Sequence, residues 1–237
     1  MRQDISVLML VVRSSIYKIL AVLGVLAVLQ MGFFYLAADT VRLERVIEIS
    51  YMEQIFYIGF FLISLILMWA EGEKGSQWEY TLCRLGISRE RVFFLWSGYN
   101  VCCFFLLFAV EILLAIGGGQ LYLERMEVGN RSAQSLFLAF WRNDFLHSLL
   151  PLTEGSRWIR NGLLLAVVGM GIAYLGSEEQ WNRKLPLLWG NILMMGMFSD
   201  AAMNGKWDLV KSGLLLIGIV LLLAGERRKY REKREEG

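Results

Sequence analysis

Histidine is almost absent from this chain: His147 is the only one among 237 residues. A metal centre built on imidazoles therefore lacks its ligands, and a histidine-based triad has one residue to draw on. Cysteine is nearly as scarce. Cys83, Cys102 and Cys103 follow no metal-ligand spacing, and the adjacent pair lies inside an apolar run, where helix packing rather than redox chemistry is expected. Charge is thin as well: 19% of residues are charged and the net charge is +2, too small to point to nucleic acid. No G-x-x-x-x-G-K-[ST] stretch is present, so the chain carries no P-loop of its own. Internal repeats and low-complexity segments are missing too. What fills the space is apolar: 56% of the residues are hydrophobic, too many for a soluble domain that must coat itself with polar side chains. The class is membrane protein.

A spanning helix needs roughly 20 predominantly apolar residues. Six runs approach or reach that length, over about 16–38, 52–70, 92–117, 162–176, 185–198 and 209–224. They predict an all-α membrane protein, with residues 1–237 forming a single transmembrane domain. The fourth and fifth runs are short and draw on flanking Trp158, Ile159 and Trp181, whose rings suit the headgroup level. Ahead of the first run, Ile5, Leu8, Met9 and Val12 repeat at helical spacing beside Arg2 and Asp4, predicting a short helix in the interface. An even number of spans puts both termini on one side. The tail GERRKYREKREEG follows the last span directly, and the bias of Lys and Arg toward the inner face then places both ends in the cytoplasm of a multi-pass plasma-membrane protein.

The connection from about Gly118 to Arg160 contains SLFLAFWRNDFLHSLLPL. Leu136, Phe137, Phe140, Phe145 and Leu149 give it an apolar face, interrupted by Arg142, Asp144 and His147 and stopped by Pro151. This predicts an amphipathic outer segment between spans three and four, with Trp141 and Phe145 in the membrane interface. As a seventh span it would carry central charges, each costing roughly 2.5 to 3.5 kcal/mol on insertion scales.

Between spans two and three stands EKGSQWEYTLCRLGISRERVFFLW, residues 73–96. Ser76 and Glu79 have the spacing of a capping box, and Trp78, Leu82 and Leu85 then share one helical face with Thr81 alongside. Gly86 suits a left-handed helix end, and Ser88 caps the next helix with Ile87 and Val92 at the staple positions. The segment reads as helix, sharp stop, helix, and these spacings alone leave it equally a plain connector.

EGEKGSQWEYTL followed by CRLGISRERVFF resembles the same region of permease subunits of type-2 ABC transporters: an acidic residue, a Gly-Ser/Thr pair, a leucine-rich turn, then Ser-Arg before the third span. Gly86 stands where many members carry proline, and Trp96 where a basic residue is frequent. The resemblance implies six spans, cytoplasmic ends and a coupling helix between spans two and three, in which Trp78, Thr81, Leu82 and Arg84 face an ABC ATPase subunit. It also implies a second permease copy or paralogue as partner, with ATP and Mg bound by the ATPase and no cofactor on this chain. Bacterial permeases of this size serve export or immunity against antimicrobial peptides.

Two other classes stay open. A passive channel or a membrane assembly factor would use polar residues within the spans, and Glu111, Asn100 and Asn191 are the candidates for a substrate path in either a channel or a transporter. Glu111 lies about 9 Å of helix rise from Gly117, so reaching the outer interface toward Arg42 or Arg45 is its alternative role. An intramembrane protease is the third class, since EEQWNR, Glu178 to Arg183, fits the Glu-Glu-x-x-x-Arg motif of CAAX-type proteases. That family needs histidines on other helices, and this chain supplies only His147.

Overall fold

The computed structural model describes residues 2–37, 46–47, 49–72, 88–125, 133–151, 154–176, 181–196, 198 and 205–235. Among them every regular element is a helix: α1 (Arg2–Ala37), α2 (Met52–Gly72), α3 (Arg89–Arg125), α4 (Ala133–Arg142), α5 (Asp144–Leu149), α6 (Gly155–Gly176), α7 (Trp181–Met195) and α8 (Gly205–Glu235). Proline, the strongest helix breaker, occurs only as Pro151 and Pro186, and Pro151 falls in the gap between α5 and α6.

Five helices are long and apolar enough to cross a membrane, through Val12–Ala37, Met52–Ala70, Glu90–Arg125, Gly155–Gly176 and Lys206–Lys229. The fifth expected run, 185–198, also forms a helix, but α7 has 15 residues. At roughly 1.5 Å per residue it rises about 22 Å, less than the roughly 30 Å of a hydrocarbon core. Outward-facing Leu209, Val210, Leu214, Ile217, Val220 and Leu221 on α8, with Leu20, Val25, Val28 and Leu29 on α1, form the apolar surface that acyl chains solvate.

Three boundaries differ from the sequence reading. Residues 5–12 do not form a separate interfacial helix; they begin the continuous 36-residue α1, and no glycine or proline interrupts the chain before Gly24. The third helix runs past the expected end at 117 through the glycines 117–119, and Gly118 lies against the ring of Phe34 on α1. The fourth starts at Gly155 rather than 162, taking in Arg157 and Arg160.

The packing register sets which ends meet. α1 and α3 run parallel: Ser15 shares a hydroxyl hydrogen bond of 2.8 Å with Tyr99, Gln30 meets Glu111, and Phe34 covers Gly118. α2 runs antiparallel to both, with Leu26 against Gly59 and the rings of Phe60 and Phe104 at 4.8 Å. α6 descends beside α3 and is parallel to α8, with Arg160 against Asp208 near their starts and Lys229 over the Tyr174 ring at 3.7 Å near their ends. The first turns of α1, the last turn of α2, the first turn of α3 and the last turns of α8 therefore share one end of the bundle. The α4–α5 hairpin and the starts of α6 and α8 share the other.

α6 is the central packing element, against α3 on one side and α8 on the other. Gly169 makes the first contact possible: a Cβ there would meet Val101 on α3, its Cγ2 at 2.6 Å and its backbone nitrogen at 2.7 Å. Backbone cannot move aside as a side-chain tip can, so glycine alone permits this approach.

Candidate functional site

Trp78, Thr81, Leu82 and Arg84, the four coupling-helix positions, lie outside the described residues. What is described are the helices on either side. α2 runs to Gly72, and α3 starts at Arg89 with the Ser88 carbonyl accepting from the Val92 amide at 3.2 Å. That is the hydrogen bond a helix makes at its N-cap residue, at the position where Ser88 was expected to cap.

Glu111, Asn100 and Asn191 are not brought together. Glu111 is 2% exposed on the face of α3 toward α1, and both its carboxyl oxygens accept from Gln30 Nε2, at 2.7 and 2.9 Å. Asn100, on the same helix but about 16 Å of rise away, faces α6 and donates from Nδ2 to the Gly169 carbonyl at 3.3 Å. Asn191, on α7, lies against Gly171 on a different face of α6. Each of the three ties a pair of helices. Glu111 is buried against Gln30, and Arg42 and Arg45, the partners of its alternative role, lie outside the described residues.

The most polar site of the described bundle was not foreseen. Arg160 is fully buried, 0% exposed, and its Nη1 donates to Asp208 Oδ1 at 2.7 Å; Asp208 is 1% exposed. Arg157, one turn earlier on α6, donates from Nε to the other oxygen of Asp208 at 3.3 Å and also pairs with Glu154. Asn161 accepts from Arg160 at Nε and Nη2, at 3.3 and 3.1 Å, and its own Nδ2 donates to the Ser148 carbonyl at 2.7 Å. Two arginines, one aspartate and one asparagine thus fasten the first turns of α6 to α8 and to the hairpin. The signal was available: the apolar run 162–176 is too short to cross, so a span must recruit earlier residues, and Arg157 and Arg160 at i and i+3 then share a face.

The hairpin replaces the single amphipathic outer helix that the sequence implied. Asn143 breaks it in two: its backbone is extended, and its Oδ1 accepts from the Leu146 amide at 3.0 Å, capping α5. α4 keeps Phe137 and Trp141 outward, stacked on each other. Phe145 is not in the membrane interface. It is buried, 3% exposed, with its ring centroid 5.7 Å from that of Phe56 and 6.2 Å from that of Phe198. His147 packs under Trp141 at 4.7 Å, and Trp158 Nε1 donates to the Pro151 carbonyl at 2.9 Å. Burial first, and then the positive charge of Arg157, lower the His147 pKa below 6.5, against an upward pull from Glu154 and Asp144. The ring is held neutral.

His147 stands beside the start of α6, whereas the Glu178–Arg183 motif follows the end of that 22-residue helix. Glu178 and Glu179 themselves lie outside the described residues. Comparison with known proteins adds no relative: no family model matches the chain, and no curated protein or solved structure matches it significantly.

Proposed function

We propose that this chain is the membrane-spanning permease subunit of a type-2 ABC transporter in a bacterial plasma membrane. It pairs with a second copy or paralogue and with ABC ATPase subunits that supply ATP and Mg. The observation that carries the reading is where the resembling segment falls. In sequence, residues 73–87 join the second and third long helices, and the helix ends they join, at Gly72 and Arg89, lie with the first turns of α1 and the last turns of α8. A coupling helix must sit there to be pushed by an ATPase on the cytoplasmic side.

The shape of α3 suits that role. It is one helix of 37 residues, about 55 Å long, starting next to the segment and packing in turn on α1, α2, α6 and the hairpin. A push delivered at Arg89 would reach the opposite end as a rigid-body displacement. In this reading α7 is the sixth crossing, accommodated by local bilayer thinning or by flanking residues, and both termini are cytoplasmic. The hairpin then caps the outer face, where it shields or gates the path of an exported substrate or of an antimicrobial peptide. Glu111, Asn100 and Asn191 each face a different helix contact rather than a common lumen, so the path, in a transporter or a channel, is not lined by these three together.

Affinity purification of the tagged chain from its native membrane, with mass spectrometry of what accompanies it, tests the assignment. An ABC ATPase should co-purify. Trp78→Ala should weaken its recovery by roughly 30-fold or more, since loss of an aromatic anchor often costs 2 kcal/mol or more. Arg84→Glu should act mainly through the association rate and its salt sensitivity. Normal recovery with both variants would remove this segment from the ATPase contact, and the absence of any ATPase would sink the transporter reading.

A further inference from the structure

Glu111 and Gln30 leave two deficits in one dry place. Glu111 is a carboxyl group buried within a membrane-spanning helix, and the Gln30 amide nitrogen is its partner among the described residues. That nitrogen has two hydrogens, and its other contact is the Met52 carbonyl at 3.4 Å. A carboxylate here would receive about one hydrogen shared between two oxygens, far short of the several donors that hold a buried anion. Meanwhile Gln30 Oε1, in a side chain 1% exposed, meets no donor among the described residues.

Among the described residues the surrounding elements offer no cation in compensation; Arg42 and Arg45 lie outside them. α1 contributes Gln30 and α2 the Met52 carbonyl. Glu53, next along α2, is partly exposed and is not a partner of Glu111. Among the described residues no lysine, arginine or histidine forms an ion pair with it.

One proton removes both deficits. Added to Glu111 it cancels the buried charge and supplies an O–H donor beside the Gln30 amide, so that a small rotation of that amide lets acid and amide each donate once and accept once. We infer that Glu111 and Gln30 form a buried proton-binding site, loaded in this arrangement, that clasps α1 to α3. Loss of the proton to water would leave an anion in an apolar contact, so the two helices must part, or admit water, for it to leave. The site is thus a proton-loaded latch between the first and third long helices, independent of which substrate the protein serves.

Infrared difference spectroscopy of the purified protein in lipid nanodiscs tests this, using Glu111→Gln, which is close in shape to the neutral acid. At neutral pH the wild type minus variant spectrum should show one protonated-carboxyl C=O band, shifting on exchange into deuterated water. The variant should also lose the part of the wild type's thermal stability that declines as the pH is raised. A carboxylate band in place of the acid band would overturn the proposal. So would a melting temperature raised by sodium or potassium chloride over choline chloride in the wild type and not in the variant, which would identify a bound metal cation instead. Should Glu111→Gln not fold, Gln30→Met keeps the acid and removes its partner. The acid band must then move to the position of a carboxyl without hydrogen bonds, and an unmoved band would equally overturn the pairing.

Discussion

A buried aspartate between two arginines is costly to make and costlier to break. Desolvating Arg157, Arg160 and Asp208 is offset only while the pairing and the Asn161 bond to Arg160 hold. Removing the aspartate takes from both arginines the buried carboxylate they share at the junction of α6, α8 and the hairpin. Asp208→Ala should therefore lower stability by about 3 to 5 kcal/mol, the range for breaking a buried pair from one side. Arg160→Met with Asp208→Leu should cost less than the sum of the two single changes, because the pair leaves together. Unfolding of the purified variants in detergent, read by tryptophan fluorescence, measures both. Equal effects in Asp208→Ala and an exposed-site control would show that the cluster is not held as described.

The hairpin α4–α5 is fastened by an element six residues long. An isolated helix of that length is unstable in water, so α5 depends on what it packs against: Phe56 and Phe198 around Phe145, and the Asn161 bond to Ser148. His147 makes the fastening sensitive to pH. Its folded-state pKa lies below its ordinary value of 6.5, so the unfolded or undocked hairpin binds a proton more readily than the docked one. Its contribution is intact above about pH 6.5 and is lost as the pH falls from there toward the lowered value, when an imidazolium would face Arg157. With the native cysteines replaced, Leu146→Cys should resist a membrane-impermeant thiol reagent at neutral pH and become reactive in acid, and adding His147→Gln should remove that dependence. Labelling of Asn143→Cys, at the half-exposed hinge, should be fast throughout. Protection of Leu146→Cys that does not change with pH would take His147 out of the fastening.

At the scale of the whole molecule the question is which end faces the cytoplasm. The basic tail and the helix ends on either side of the α2–α3 connection share one end, and two of the cations at the other, Arg157 and Arg160, are buried and paired with Asp208, so they weigh little against the inner bias. Reporters active in the cytoplasm should work when fused after Arg183 or Gly237, and export-active reporters when inserted at 124–129. A tail reached only from outside would invert the assignment. The helical membrane architecture was legible in the sequence because a bilayer imposes a long apolar run on every span, and composition records such runs directly. The start of α3 just after Ser88 was legible because helix starts are signalled locally, within a few residues. Arg157 and Arg160 were not, since an arginine beside an apolar run reads as loop until its counter-ion, 48 residues away for Arg160, is known. The split in the hairpin and the inward turn of Phe145 depended likewise on Phe56 and Phe198, and the role of Glu111 on Gln30, 81 positions earlier. A sequence states each residue's affinity for water. Whether a polar group is exposed, paired or protonated is decided by what the other helices bring to it, and that exists only in the folded molecule.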